Sequence, residues 1–568
     1  MPSVARGAAF KAITVTLIGM RKFFVLVLIL IGLLGAGVRG AEPSTSKRPL
    51  NILWLTTEDM SPWLACYGDK TAPTPNIDRL AREGVRYTRA YATSPVCAPA
   101  RHTLITGLYA TETGAMHMRN GSASKQALQR NPRAYDNIPL YEAVPPAEVR
   151  CFPEYLRMAG YYATNNVKQD YQFVAPPTVW DESSRRAHYR NREEGQPFFA
   201  VFNCTFTHES GAFPEAPRRS DAVKPENVTL PPYYPDTPAV RATVAQTYNN
   251  IVGMDQWVGE RLAELERDGL LDSTIIFFFS DHGVGLPRGK RNSYDSGLHV
   301  PLIVRFPDGH GAGTSDDRLV SFLDFAPTVL SVAGIQPSPY MAGRPFLGRF
   351  KAQPHAYVFS SQDRMDETTD MVRSVSDGRY RLIRNHMPTV PHVINSAYRD
   401  HIPMMKDIHA MTGENAAPQQ WQMVSKRKPA EEFYDSQGDP HQVTNLIDSA
   451  EHAERIGALR AALDQWSGDH EDLGRIQPES KLVRERVWPP AGKQPATADP
   501  RASIKDGLLA IECATEGASI GYRERERGER AWKIYAEPVE IDAAKPFEVV
   551  AHRIGYQRSA IVPVAASK

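Results

Sequence analysis

Asn51-Ile52-Leu53-Trp54-Leu55-Thr56 is an apolar run of strand length that ends on the acidic pair Glu58-Asp59. Apolar residues stand at both parities, so it reads as a strand buried on both faces that delivers carboxylates at its C-terminal end. The design recurs far downstream, where Ile275-Ile276-Phe277-Phe278-Phe279-Ser280 leads directly into Asp281-His282-Gly283, and a third such strand is Pro301-Leu302-Ile303-Val304-Arg305-Phe306. Helical spacing lies between them. Pro75 to Glu83 sets Ile77, Leu80 and Ala81 on one face with Gly84 as the stop, and Val240 to Asp268 repeats Ile251, Met254, Val258, Leu262 and Leu265 at three- and four-residue intervals. Strands alternating with helices predict an α/β fold: an open, mostly parallel sheet flanked by helices. Such sheets bind ligands at their C-terminal strand edge, so the two acidic clusters are expected in one site.

Outside this region the pattern changes. Past about residue 345 shorter β-rich pieces appear (Tyr357 to Ser360, Arg379 to Ile383), followed by a helical stretch from Ala450 to Trp466. Pro489 to Pro500 has a linker's composition, and Gly507 to Val564 alternates short apolar runs with turns, as a small β-sandwich would. The organisation expected is a catalytic domain over 48–345, a smaller α+β subdomain over 346–488, a linker over 489–500 and a small β-rich domain over 501–568. Met20-Arg21-Lys22, the apolar run Phe23 to Leu34 and the small residues up to Ala41 predict a signal peptide over 1–41. An uncleaved anchor is the alternative, but an apolar core of roughly twelve to fifteen residues is short for a span. The expectation is a secreted or periplasmic protein with no stable membrane span after signal cleavage.

The chain balances 66 Lys and Arg against 65 Asp and Glu, so bulk charge offers no argument for nucleic acid or an anionic membrane as partner. Anion recognition must be local. The five cysteines (Cys66, Cys97, Cys151, Cys204, Cys513) are too few for a stapled scaffold, and an odd count leaves at least one unpaired. Cys97 is the one in a chemical setting. Cys97-Ala98-Pro99-Ala100-Arg101 places a thiol before a proline-started helix, where free backbone amides and the helix dipole favour an anion.

Together with Glu58-Asp59, Tyr67-Gly68, Thr74 to Ala81 and Thr106-Gly107-Leu108-Tyr109, this motif closely resembles the N-terminal region of type I sulfatases, a family with the alkaline-phosphatase-like fold. The resemblance runs from about Asn51 to Leu347 and more weakly to about Leu446. In that family the Cys of Cys-x-Pro-x-Arg is oxidised to formylglycine (3-oxoalanine), whose hydrated aldehyde attacks sulfur. Cys97 is thereby implied as the nucleophile's precursor, with Arg101 beside it and a formylglycine-generating or equivalent maturing enzyme as a partner. A geminal diol suits the task, because one oxygen attacks and the other later expels sulfate by re-forming the aldehyde, a route closed to unmodified cysteine or serine. The resemblance also implies Glu58, Asp59, Asp281 and His282 as metal ligands, with modified Cys97 completing the shell. An oxygen-dominated set favours Ca2+ over zinc. The family usually has Asp at position 58 and often Asn at 282; both replacements can coordinate.

Three further segments carry implied contacts. Lys290, in Gly289 to Tyr294, matches the lysine that grips the sulfate. Lys168, in Asn165 to Asp170, matches a lysine bound to formylglycine and sulfate, and Asp170 replaces a histidine that serves as base; a carboxylate can also be a base. His208, after the strand-like run Phe198 to Phe206, matches the histidine that contacts the bridging oxygen and protonates the leaving group. Glu432 to Pro440 is similar to a segment near the C-terminus of many sulfatases, whereas Arg364 to Glu367 reads as cleft lining or as a solvated charged loop. Residues 513–562 resemble fibronectin-like domains of carbohydrate-active enzymes, and Glu58 to Pro62 with Lys168-x-Asp170 resemble the branch of N-sulfoglucosamine sulfohydrolase. The expected activity is hydrolysis of sulfate esters or sulfamates on a sulfated glycan. The alternatives are a phosphohydrolase of the same superfamily, or an inactive protein that binds sulfated glycans.

Overall fold

The computed structural model describes residues 49–120, 138–525 and 532–564; the expected signal segment lies outside them. The apolar runs form the centre of an eight-stranded sheet: β1 (Asn51–Thr57), β2 (Val85–Tyr91), β3 (Tyr162–Asn166), β4 (Glu182–Ser183), β5 (Phe198–Cys204), β6 (Thr274–Ser280), β7 (His299–Arg305) and β8 (Thr314–Ser321), in the order β4-β3-β5-β1-β6-β7-β2-β8. β1 runs parallel to β5 on one side and β6 on the other, with Thr57 level with both Cys204 and Ser280. That register fixes the site, because the chain leaves all three strands at the same edge.

The covering helices are α1 (Pro75–Glu83), α2 (Cys97–Thr106), α3 (Phe152–Met158), α4 (Pro238–Arg267) and α5 (Phe325–Val332). Side chains alternate across β1, so Ile52 and Trp54 enter one apolar core and Leu53 and Leu55 the other. Trp54 is ringed by Phe152, Phe199, Phe279 and Phe325 at 5.1 to 5.9 Å. On the opposite face α4 buries its periodic residues Ile251, Met254, Val258, Leu262 and Leu265. Thr237 caps that helix by accepting from Val240 N–H, with Pro238 as its first residue.

Two details differ from the sequence expectation. The third apolar run, β7, pairs antiparallel with both β6 and β2. The loop from Asp281 to Leu298 returns along the same sheet edge with no crossover helix, so the next strand can only run back down. Cys97 is also the first helical residue of α2 rather than the residue before it, with Val96 extended at the cap. Gly107 closes α2 in the left-handed region (φ 77°), donating its N–H to Thr103 O at 2.8 Å.

Beyond the large sheet, β9 (Val358–Gln362), β10 (Val372–Ser376), β11 (Tyr380–Asn385) and β12 (Glu431–Asp435) form an antiparallel sheet backed by α6 (Ala453–Asp469), through Val375, Leu382 and Phe433 against Leu459, Leu463 and Trp466. Two small antiparallel sheets over residues 501–564 share a core of Leu509, Ile511, Tyr522, Phe547 and Val549. The Pro-rich segment 489–500 is bonded to them, since Thr497 N–H donates to Gln557 O and Gln557 N–H donates to Pro495 O.

Candidate active site

The chain turns sharply as it leaves β1, and Asp59 takes a left-handed backbone (φ 48°). Its N–H donates to Asp281 Oδ1 at 3.1 Å, tying the ends of β1 and β6 together. Its Oδ2 accepts from Glu209 N–H and Lys290 Nζ, each at 2.8 Å, and its Oδ1 lies 4.0 Å from Cys97 Sγ. His282 is fully buried. Its Nδ1 sits 2.9 Å from Gly283 O, where only a proton on Nδ1 makes a bond. Nε2 then faces Asp59 Oδ1 at 2.9 Å, out of hydrogen-bond alignment, with Asp281 Oδ1 at 3.7 Å. Burial opposes the imidazolium, but Asp281 and Asp59 outweigh it and raise the His282 pKa to about 10.

The carboxylates that hold a second proton on His282 would hold a metal ion in its place, which tests whether these residues fit one. His282 Nε2 and Glu58 Oε1 are buried with no hydrogen-bond partner among the described residues, and Cys97 Sγ lies within 4.8 Å of ligand atoms of both Asp281 and His282. Two carboxylates, an imidazole nitrogen and the side chain of residue 97 therefore converge where a positive charge is wanted. The set fits a divalent cation.

The cations surround it. Arg101, one turn along α2 from Cys97, donates from Nε to Asp281 Oδ2 and from Nη1 to Asn203 Oδ1, both at 2.9 Å; its Nη2 is buried with no partner among the described residues. Lys168 Nζ reaches Glu58 Oε2 at 2.8 Å and Asp170 Oδ2 at 3.8 Å. Lys290 Nζ contacts Asp59 and, at 2.9 Å, Glu209 Oε1. Burial pushes the Cys97 thiol up, but Lys168 and Lys290 outweigh it and bring its pKa down to about 6. His208 Nε2 lies 3.4 Å from Lys290 Nζ and 3.9 Å from Glu58 Oε2. Its Nδ1 accepts from Ser210 N–H at 3.3 Å and is 2.8 Å from Ser210 Oγ.

All ten residues singled out in the sequence thus join one cluster, although Asp170 touches it only through Lys168. Sequence reasoning gave no role to Asn203, Glu209 or Arg291, and placed Asp366 only in a segment read as cleft lining or as a solvated loop. Arg291 pairs with both Glu209 oxygens at 2.8 and 3.0 Å and with Asp366 Oδ2 at 2.7 Å, and Arg119 Nε reaches Asp366 Oδ1 at 2.7 Å. The result is a row of alternating charges, Asp59, Lys290, Glu209, Arg291, Asp366 and Arg119, leading outward from the centre. Arg364 and Asp366 are fully buried, which rules out the solvated-loop reading of that segment.

Strand-end carboxylates and buried cations gather at a helix N-terminus on this sheet, an arrangement able to hold a metal ion beside a bound anion. The sulfatase family model matches residues 50–335, and the model for the C-terminal part of N-sulphoglucosamine sulphohydrolase matches residues 287–391. An ulvan-active sulfatase of Formosa agariphila is 42% identical over 94% of this chain and 94% of its own length. Human N-sulphoglucosamine sulphohydrolase is 26% identical over 78% of this chain and 94% of its own. A solved complex with D-glucosamine-2-N,6-O-disulfate as substrate superposes at TM-score 0.52 (18% identity, 75% of this chain, 98% of that one). A phosphonate monoester hydrolase of Agrobacterium radiobacter reaches 0.51 (16% identity, 74% and 96%). These structures show the fold alone, which sulfate and phosphonate hydrolases share; the sequence relatives separate them. The chain belongs to the type I sulfatase family and is a sulfuric ester hydrolase.

Proposed function

We propose that this enzyme removes sulfate, as an ester or a sulfamate, from a sulfated polysaccharide or oligosaccharide, using formylglycine at position 97 and a bound calcium ion. One observation carries the reading: Cys97 opens a helix at the strand edge, its thiol pulled down by Lys168 and Lys290, against a carboxylate and histidine set suited to a divalent cation. Relatives named for ulvan and for N-sulphoglucosamine support a glycan substrate. The expected signal peptide supports export, and no helix among the described residues is long and apolar enough to cross a membrane.

Cys97 Sγ stands in for the diol oxygens of formylglycine, which provide the nucleophile once the residue is matured. Glu58, Asp59, Asp281, His282 and residue 97 would hold a calcium ion, which would supply the charge that polarises sulfate oxygens and acidifies the diol. The other side chains bind and orient. Burial disfavours the Lys290 ammonium, yet Asp59 and the Cys97 sulfur hold its pKa well above the usual lysine range, and Lys168 is raised in the same way by Cys97 and Glu58. Both are therefore fixed positive charges beside residue 97, placed to neutralise a bound sulfate. Arg101 holds Asp281 in place through its 2.9 Å bond.

His208 is the leaving-group acid. With Nδ1 accepting from Ser210, the proton resides on Nε2, the nitrogen that faces Lys290 and Glu58. Asp170 stands where the family carries its base, and its Oδ2 lies 3.8 Å from Lys168 Nζ. Mass spectrometry of the tryptic peptide holding residue 97, from a host with the maturing enzyme, tests the whole. A mass loss of formylglycine type together with sulfate release from a sulfated glycan panel is expected; an unmodified cysteine and no release would sink it.

A further inference from the structure

The loop that carries Lys290 into the cluster also borders a second space. Lys290 contacts Asp59, whereas Arg288, Asp295 and Ser296 of the same loop line a cavity of about 530 Å³ that none of the ten clustered residues touches. Its size is that of small-molecule sites. Trp63 and Tyr248 stack in its wall, 5.1 Å apart and 23° from parallel, and Tyr248 is fixed by donating its hydroxyl to Asp69 Oδ2 at 2.6 Å. Tyr233 adds a third ring, with the Arg288 guanidinium 4.6 Å from its centre. Trp63 is half-buried, so an aromatic surface remains within reach of solvent.

The charges around these rings are unevenly committed. Asp69 takes the Tyr248 hydroxyl and Thr71 N–H, and Asp295 is paired with Arg381 Nε at 2.6 Å. Lys70 on the rim is exposed and makes no ion pair among the described residues, and His441 beside Tyr233 is exposed as well. His299 donates Nε2–H to Thr88 O, which leaves Nδ1 as an acceptor. The carboxylate oxygens are occupied by donors while Lys70 and the His441 ring stay exposed, so the group left to meet a ligand's charge is the Lys70 ammonium. Flat rings among hydrogen-bonding groups suit a sugar, whose C–H faces lie on aromatics and whose hydroxyls bond at the edges.

We infer that this cavity binds a segment of an acidic polysaccharide outside the catalytic cluster, with Trp63 under a sugar ring and Lys70 against a charged substituent. The inference rests on the glycan reading proposed above. It gives the enzyme a second hold on a polymeric substrate without changing the chemistry at residue 97.

The test uses the full-length matured enzyme with Trp63→Ala and Lys70→Glu. Native gels cast with ulvan or with neutral dextran read binding, and hydrolysis of 4-nitrophenyl sulfate reads catalysis. Ulvan should retard the wild type and dextran should not. Each variant should lose about fivefold or more in retardation and gain about as much in KM on ulvan, with less than about a twofold change on 4-nitrophenyl sulfate. Should Trp63→Ala fail to fold, the exposed Lys70→Glu decides by itself. Variants retarded like the wild type, or equal retardation by dextran, overturn the inference. A wild type that cleaves 4-nitrophenyl sulfate yet is not retarded by ulvan also overturns it. Retardation without any sulfate release would instead count against the proposed function.

Discussion

Lys290 Nζ is held between Asp59 Oδ2 at 2.8 Å and Glu209 Oε1 at 2.9 Å, so the lysine proposed to grip sulfate is fixed by one carboxylate of the metal set and one outside it. Burial raises the Glu209 pKa, but Arg291 and Lys290 outweigh it and bring it down to about 2. Glu209 is thus an anion at any working pH, shared between two buried cations.

Glu209→Gln should therefore damage both stability and activity. Removing one member of a buried charge network leaves Lys290 and Arg291 under-compensated, a change that costs about 3–5 kcal/mol in comparable buried pairs. Lys290 would then lean wholly on Asp59. The expected result is a lower Tm with kcat/KM reduced about tenfold or more, read by calorimetry and sulfate release. An unchanged Tm and rate would show that the pairing contributes nothing.

Ser210→Ala isolates the orientation of His208. The serine hydroxyl lies 2.8 Å from Nδ1 and, beside the Ser210 backbone N–H at 3.3 Å, favours the tautomer with its proton on Nε2. Protonation helps poor leaving groups most, so the variant should lose about tenfold on alkyl or sugar sulfates and little on 4-nitrophenyl sulfate. Ser210→Thr should restore the difference. A loss of equal size across all leaving groups would mean that Ser210 only supports the local fold.

The central strands were legible because a parallel strand buried on both faces has little freedom in composition: Ile52 to Leu55 and Ile275 to Phe279 admit no other placement. The direction of β7 was not legible, since it depends on how the 281–298 loop returns and not on the strand's own residues. The ten clustered residues lie next to recognisable motifs. Arg291 and Glu209 are their immediate neighbours in sequence, yet their importance is visible only through Asp366, which the fold brings to Arg291 from a separate segment. Long-range ion pairs leave no periodic signature in a chain.

Acid should destabilise this protein through its buried neutral histidines. Burial lowers the pKa of His102, His117 and His392 to about 4 each. The unfolded chain, titrating near 6.5, binds more protons between those limits, so stability is full above about pH 6.5 and falls as pH drops toward 4. Asp363, raised by burial to about 7, works the opposite way over part of the range, and burial raises Glu112, Asp255 and Asp370 too, so a single histidine is a sharper test than the net slope. His102 bonds Tyr171 O at 3.0 Å and Thr113 Oγ1 at 2.8 Å, partners that a glutamine can also satisfy. His102→Gln should flatten the fall in Tm between pH 6.5 and 4.5, its contribution being about 3 kcal/mol at most. Identical slopes for variant and wild type would refute the assignment.

Metal removal gives the sharpest test of the carboxylate set. Asp59, Asp281 and Glu58 are already partly neutralised by Lys290, Arg101 and Lys168, so the fold should survive without the ion and only its stability should move. A ligand that binds only the folded state stabilises it by about 2.7 kcal/mol at a hundredfold excess over Kd. Chelation with EGTA should therefore lower Tm by several degrees while leaving a cooperative transition, and added calcium should restore it. His282→Ala removes the nitrogen aimed at Asp59 Oδ1 and should shrink that calcium-dependent shift. Since oxygen ligands predominate, zinc should restore Tm less well than calcium at equal free concentration. Recovery with zinc alone, or a Tm indifferent to both ions, would remove calcium from the proposal even though the fold and family stand.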